Sequence, residues 1–148
     1  MKPKAKIDEV STEDGKVLAL YAHDGDFSMS LDGQELMHSR AHASELLLGE
    51  LGAQACVAKD AAKVLVGGLG LGYTLKAVLD GLDASAEVSV VELLSPVVTW
   101  NREGALRQLN GHLLDDPRVV MLEADVTRLI RKAAAASYDV ILLDIDNG

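Results

Sequence analysis

The stretch Val64-Leu65-Val66-Gly67-Gly68-Leu69-Gly70-Leu71-Gly72-Tyr73-Thr74 decides how this chain folds. An unbroken apolar run ends in glycines and gives way to residues 74–82, where Leu75, Val78, Leu79 and Leu82 share one helical face. A strand without polar alternation is buried on both faces, as parallel strands are. Glycines at 68, 70 and 72 permit a tight strand-to-helix turn and close approach of a ligand to the backbone. The amide N–H groups and positive end of the helix are then expected to face that ligand.

The same rhythm repeats downstream. Val88-Ser89-Val90-Val91 is a second buried strand, closed by Glu92. Pro96 suits a helical first turn, and that helix is predicted to run to about residue 109. Residues 118–122 form a third strand, 126–136 a third helix and 138–143 a fourth strand, ending in Asp144. Repeated βα units of this kind build a Rossmann-like, doubly wound parallel α/β sheet, whose ligand sits beyond the carboxyl ends of the strands. Upstream, residues 1–36 read as a β-hairpin region and 37–148 as the first part of the nucleoside-binding domain. Residues 16–22 form a strand, Asp24-Gly25 and Asp32-Gly33 are hairpin turns, and 27–31 alternates apolar with polar, so that one face is buried. A helix is predicted from 39 to about 51, around Leu46, Leu47 and Leu48.

Composition narrows the function. Among 148 residues, 14 Lys and Arg face 23 Asp and Glu, a formal net charge of -9, and there is no basic run. The chain lacks the electrostatic footprint of a nucleic-acid binder. Apolar residues make up 49% and aromatics 3%, so the core is aliphatic, as befits helices packed on a sheet. No apolar run approaches the roughly 20 residues that span a bilayer, so no membrane partner is expected. The basic start Met1-Lys2-Pro3-Lys4-Ala5-Lys6 leads into Asp8 and Glu9 rather than an apolar segment, so it is not read as a signal peptide. A single cysteine, Cys56, fits a reducing compartment, and a cytoplasmic location follows. Cys56 itself reads as a small buried hydrophobe, and Val97 and Trp100 read as packing residues.

Four successive strand ends carry glycine or acid. The G-x-G-x-G spacing differs from the dinucleotide fingerprint, which needs glycine where Tyr73 stands, and this disfavours a pyrophosphate and a nicotinamide cofactor. Glu92, 20 residues after Gly72, can accept both hydroxyls of an adenosine ribose. Asp125 either accepts from an adenine amino group or caps the helix that starts at Val126; the two roles are compatible. Asp144 and Asp146, at a strand's carboxyl end, are expected to face the shared crevice, a solvated loop being the alternative. His38, His42 and Glu45 fall at i, i+4 and i+7, so a helix over them would present all three to a metal, although ordinary helix-face residues account for the pattern better and no metal is expected.

This constellation resembles class I S-adenosylmethionine-dependent enzymes and, within them, the spermidine synthase family of aminopropyltransferases. Residues 64–79 are similar, without a gap, to the family's V-L-V-I-G-G-G-D-G-G-T-L-R-E-V-L; Val91-Glu92-Leu93 resembles its V-E-I, Asp116-Pro117-Arg118-Val119 its D-P-R-V, Ala124-Asp125-Val126 its G-D-A, and residues 138–144 its Y-D-V-I-I-x-D. Asp32-Gly33-Gln34 resembles its Asp-Gly…Gln stretch. The resemblance implies a donor that is decarboxylated S-adenosylmethionine or S-adenosylmethionine, held by Gly68, Gly70, Gly72, Glu92 and Asp125. It implies Asp144 as the acid that takes a proton from the attacking amine, and Gln34, Glu45, Asp146 and Asn147 as acceptor-side residues. A small-molecule amine is the implied acceptor and a homodimer the implied assembly.

Departures open alternatives. Leu71 stands where the family has the aspartate that holds the donor amine, so ordinary S-adenosylmethionine and methyl transfer become an option. The family's Tyr-His-Glu corresponds to Ala43-Ser44-Glu45, its preceding Asp-Glu to Ser39-Arg40, and the second acid of its last motif to Asn147. Arg40 would repel a polyamine. A non-catalytic nucleoside-binding or dimerisation homologue is the remaining reading. Because this fold class continues past its fourth strand, the 148 residues are expected to be the N-terminal part of a longer enzyme, with the donor half-site present.

Overall fold

The computed structural model describes residues 3–145, which divide into two compact units, residues 3–42 and Ala43–Ile145. The first unit is an antiparallel meander of β1 (Ala5–Ser11), β2 (Val17–His23), β3 (Asp26–Leu31) and β4 (Gln34–His38), paired in chain order. Both two-residue turns are Asp-Gly. Asp24 and Gly25 have φ of 49° and 84°, Asp32 and Gly33 of 50° and 82°, with His23 opposite Asp26 and Leu31 opposite Gln34. Positive φ at both central residues gives the primed turn whose twist matches that of the flanking strands. Asp32 also ties the meander across, its Oδ1 accepting from Val17 N–H at 2.7 Å.

The alternation in β3 does not leave one face open. Phe27, Ser28, Met29 and Ser30 are all buried. As an inner strand, β3 sets the small Ser28 between its larger cross-strand neighbours Tyr21 and His38. Arg40 pairs through Nε with Asp26 Oδ2 at 3.0 Å, while Ser39 Oγ donates to Asp26 Oδ1 at 2.9 Å.

The second unit carries a parallel sheet of β5 (Lys63–Gly67), β6 (Glu87–Glu92), β7 (Val119–Glu123) and β8 (Val140–Leu143) in the order β7-β6-β5-β8. Its helices are α1 (Ala43–Ala55), α2 (Tyr73–Gly81), α3 (Ser95–Arg102) and α4 (Val126–Lys132). The doubly wound α/β class read from the sequence is the class observed. Strand order reverses between β5 and β8, which makes the carboxyl ends of these two strands the topological switch point. Val64, Leu65, Val66, Val88, Val90 and Val91 are at most 1% exposed. Each such side chain contributes roughly 1.5–3 kcal/mol of burial, so the two central strands form a firm base for the loops above them. The outer strands are less covered than the sequence suggests: Val120, Ile141 and Leu143 stay exposed.

Helix limits move for local reasons. α1 begins at Ala43 rather than 39, and it buries Gly49, Gly52 and Ala53 while Leu47 remains 55% exposed. A side chain at Gly49 would meet Thr74 O and Ala77 Cβ of α2 at 2.5 and 2.6 Å, so the two helices meet through small residues. α3 stops at Arg102, because the chain folds back at Gly104 so tightly that a Cβ there would lie 2.8 Å from Trp100 Cα. A short 3-10 helix, Ala105–Gln108, replaces its predicted last turns, and a second, Gly111–Asp115, follows. α4 ends at Lys132, since residues 134–136 are exposed alanines with no apolar face to pack. Trp100 and Val97 are buried as packing residues, and Cys56 is 2% exposed.

Candidate active site

The loop from β5 to α2 forms the floor of the site. Gly68, Gly70 and Gly72 have φ of 98°, 51° and 84°. Gly68 is fixed twice over, by its φ and because a Cβ would lie 2.1 Å from the carbonyl oxygen of Asp144 at the end of β8. Gly72, the left-handed residue that opens α2, would meet Asn110 Cβ at 2.6 Å. Asp144 N–H donates to Gly67 O at 2.8 Å, so the ends of β5 and β8 stay paired up to the loop.

Glu92, at the end of β6, grips this loop. Its Oε1 accepts from Leu69 N–H at 3.0 Å and Gly70 N–H at 3.4 Å, and its Oε2 accepts from Leu94 N–H at 3.0 Å. Gly68 N–H donates to Val91 O at 2.7 Å and Gly72 N–H to Leu69 O at 2.9 Å. The expectation that the loop amides turn toward the ligand is corrected here: those of residues 68, 69, 70 and 72 are engaged within the protein. A carboxylate that strand β6 delivers beside the loop satisfies two of them, with charge-assisted bonds stronger than neutral ones. A phosphate cradle needs such amides pointed outward. The amides held by Glu92 are not turned outward as a phosphate cradle requires. A carboxylate offers about four lone-pair positions; three serve the backbone, which leaves Oε2 able to take an incoming hydroxyl.

Asp144 sits where β8 ends. Its Oδ2 accepts from Thr74 Oγ1 at 2.8 Å. Thr74 is 2% exposed, lies in the first turn of α2, and is also 3.3 Å from Glu45 O in the first turn of α1. One hydroxyl thus links three elements and orients the acid. Glu45 is thereby brought beside Thr74 through its backbone, while its side chain accepts from Ser44 Oγ at 3.1 Å. Asp125, after β7, caps α4 by accepting from Thr127 N–H at 2.8 Å. Asp146 and Asn147 lie outside the described residues. Gln34 belongs to the antiparallel unit, where it lines a shallow hollow with Lys16, Leu31, Asp32 and Leu36.

The helical face of His38, His42 and Glu45 does not exist. His38 ends β4, and His42 precedes α1 with its Nδ1 2.5 Å from Ser39 O. The spacing i, i+4, i+7 converges only on a continuous helix, and the strand end at His38 breaks it. Among the described residues, no group of three His, Cys, Asp or Glu side chains is arranged to hold a metal.

Three residues at the site were missed from sequence. Thr74 is one. The others are Asn101 of α3, fully buried, whose Nδ2 donates to Gly70 O at 3.0 Å and Val97 O at 2.9 Å, and Asn110, 5% exposed, whose Nδ2 donates to Leu71 O at 2.9 Å. No periodicity marks them, since their partners are backbone carbonyls 31 and 39 residues away for the loop bonds.

Comparison with known proteins places the fold. No family model matches the sequence, and no curated protein matches it. Among solved structures, the chain is similar to the spermidine synthase from Thermotoga maritima, at 22% identity and a TM-score of 0.78, over 97% of this chain and 47% of that one. It is also similar to a spermidine synthase in complex with the transition state analogue AdoDATO, at 23% identity and a TM-score of 0.77, over 94% of this chain and 47% of that one. The chain therefore has a spermidine synthase-like fold, with a class I methyltransferase-like parallel sheet following an antiparallel N-terminal one, and spans about half the length of these structures.

Proposed function

We propose that the chain supplies the donor-binding side of a spermidine synthase-like transferase, one that takes an S-adenosylmethionine-type sulfonium nucleoside and delivers its aminopropyl group to a small amine. The observation that carries this reading is the Glu92 carboxylate clamped on a glycine loop four of whose amides are engaged within the protein, at the switch point of the sheet. A nucleoside hydroxyl suits such a loop and a dinucleotide pyrophosphate does not. The likeness to a spermidine synthase solved with AdoDATO supports the decarboxylated donor.

In the proposed reaction, Glu92 binds the ribose and Asp125 the adenine edge, and the glycines leave room for the nucleoside. The amine first loses a proton to Asp144, whose carboxylate Thr74 holds in one orientation. The freed nitrogen pair then attacks the carbon next to the sulfonium, a C–N bond forms, the C–S bond breaks, and sulfur leaves as a neutral thioether. General-base help of this kind is worth about 10²–10⁴-fold; the rest comes from positioning a substrate that already carries a good leaving group. Gln34, Glu45, Asp146 and Asn147 belong to the acceptor side in this proposal, and the active assembly is a homodimer.

A second reading, methyl transfer from S-adenosylmethionine, is favoured by Leu71. Leucine stands here in place of an acid, so this loop position carries no negative charge to oppose the donor's carboxylate. Calorimetry with decarboxylated S-adenosylmethionine, S-adenosylmethionine and NAD tests both readings. Binding of the decarboxylated donor with aminopropyl transfer is expected. Binding of S-adenosylmethionine alone supports the second reading, and a folded chain that binds neither sulfonium compound sinks both.

A further inference from the structure

We propose that Asn101 and Asn110 are positioning residues for the glycine loop, fixing the direction of its peptide groups and hence the geometry in which the nucleoside meets the site; this rests on the donor-binding reading above. Both side chains are more than nine-tenths buried. Asn101 spends its amide hydrogens on the carbonyls of Gly70 and Val97, and its Oδ1 has no hydrogen-bond partner among the described residues. That pattern is costly for a residue serving only as filler, because a buried acceptor is left unpaired so that two carbonyls can be held. Asn110 holds the next carbonyl along, that of Leu71, and its Cβ fills the space that a side chain at Gly72 would need.

The geometry explains what is gained. In a trans peptide the carbonyl oxygen and the following N–H point in opposite directions. Gly70 O drawn onto Asn101 therefore turns Leu71 N–H away from it. Leu71 O drawn onto Asn110 turns Gly72 N–H away, onto Leu69 O at 2.9 Å. With Glu92 holding the amides of Leu69 and Gly70, the loop is gripped by a carboxylate on its donors and by two amides on its acceptors. Flexible glycines have no side chains to lock such a loop, so the lock must come from elsewhere. Aspartate in place of either asparagine sets an anionic oxygen against a carbonyl and repels the group that the amide held.

The test is calorimetric titration of decarboxylated S-adenosylmethionine into the wild-type chain, Asn101→Asp and Asn110→Asp, with Tm measured alongside. Each variant is expected to bind the donor at least tenfold more weakly. A residue with a merely structural role lowers Tm and leaves the Kd of the folded protein unchanged, so folded variants within twofold of the wild-type Kd overturn the proposal. Should the variants not fold, side-chain amide exchange in the wild type decides. Exchange of the Asn101 and Asn110 Nδ2 hydrogens is expected to slow further on donor binding, and identical rates with and without donor overturn the proposal. A wild-type chain that binds no donor overturns the donor-binding reading itself, whereas donor binding with unaffected variants overturns the positioning role alone.

Discussion

Glu92→Gln separates the task that the Glu92 carboxylate is seen to perform, holding the loop, from the one proposed for it, meeting the nucleoside. Loss of donor affinity in a Glu92 variant is ambiguous by itself, because the loop moves when its anchor goes. Glutamine keeps one oxygen for Leu69 N–H and Gly70 N–H but sets an NH2 group against Leu94 N–H, donor facing donor. Hydrogen bonds to a charged acceptor contribute about 1.5–3 kcal/mol, neutral ones about 0.5–1.5 kcal/mol, and an orphaned amide costs about 1–3 kcal/mol. The bond to Gly70, at 3.4 Å, adds little. Because the site is only partly buried, water relieves some of the loss, and the expected destabilisation is about 2–3 kcal/mol. Urea denaturation reads it as a lower midpoint with an unchanged m-value.

Donor titration of the same variant reads the second task. Glutamine's NH2 can still bond a hydroxyl oxygen but cannot accept from it, so affinity is expected to fall about tenfold, roughly 1.4 kcal/mol. A destabilisation below about 0.5 kcal/mol, within the range of an ordinary surface change, refutes the anchoring role. Destabilisation with unchanged donor affinity leaves the anchor standing and refutes the ribose contact.

Other measurements follow from particular contacts. Thr74→Val removes the hydroxyl that holds Asp144, and turnover is expected to drop about tenfold with donor Kd nearly unchanged, against near-complete loss of turnover for Asp144→Asn; equal rates for Thr74→Val and wild type count against the orienting role. Arg118→Ala is expected to cost about 2–3 kcal/mol by urea midpoint, since Arg118 Nη1 caps the carbonyls of Leu79 and Leu82 at 2.9 and 2.8 Å while Asp116 takes the rest of the guanidinium. Hydrogen bonds from Arg118 hold the Asp116 carboxyl below its ordinary value, so its contribution is present above about pH 4 and lost as pH falls through the lower folded value; Asp116→Asn should flatten that acid limb, and an unchanged limb rejects the pair. Burial pushes the Cys56 thiol up, so labelling by a thiol reagent at pH 8 should track unfolding, and labelling as fast as a free thiol would contradict the buried placement.

What could be read from sequence divides along a physical line. Asp24-Gly25 and Asp32-Gly33 were legible because positive φ is a property of the residues that adopt it, and the β5 run was legible because apolar continuity reports burial directly. Strand ends bearing Glu92 and Asp144 were legible as places, since topology alone brings them to one edge. Directions were not. Whether the amides of Leu69 and Gly70 face a ligand or a carboxylate depends on Glu92, 23 and 22 residues away, and no local pattern encodes it. The same holds for Thr74, whose partner Asp144 lies 70 residues on. Helix ends failed for a related reason: α3 has the propensity to continue, but Gly104 packs onto Trp100, a contact that exists only once the chain has turned. His38 and His42 show the reverse error, in which a local period was taken for a helix that β4 pre-empts. Local sequence thus specifies conformations and tertiary closure specifies orientations. The glycine loop is braced by the distant side chains of Asn101 and Asn110, and under the proposed donor-binding role, substitutions far along the chain from the glycine motif should alter donor affinity as strongly as substitutions within it.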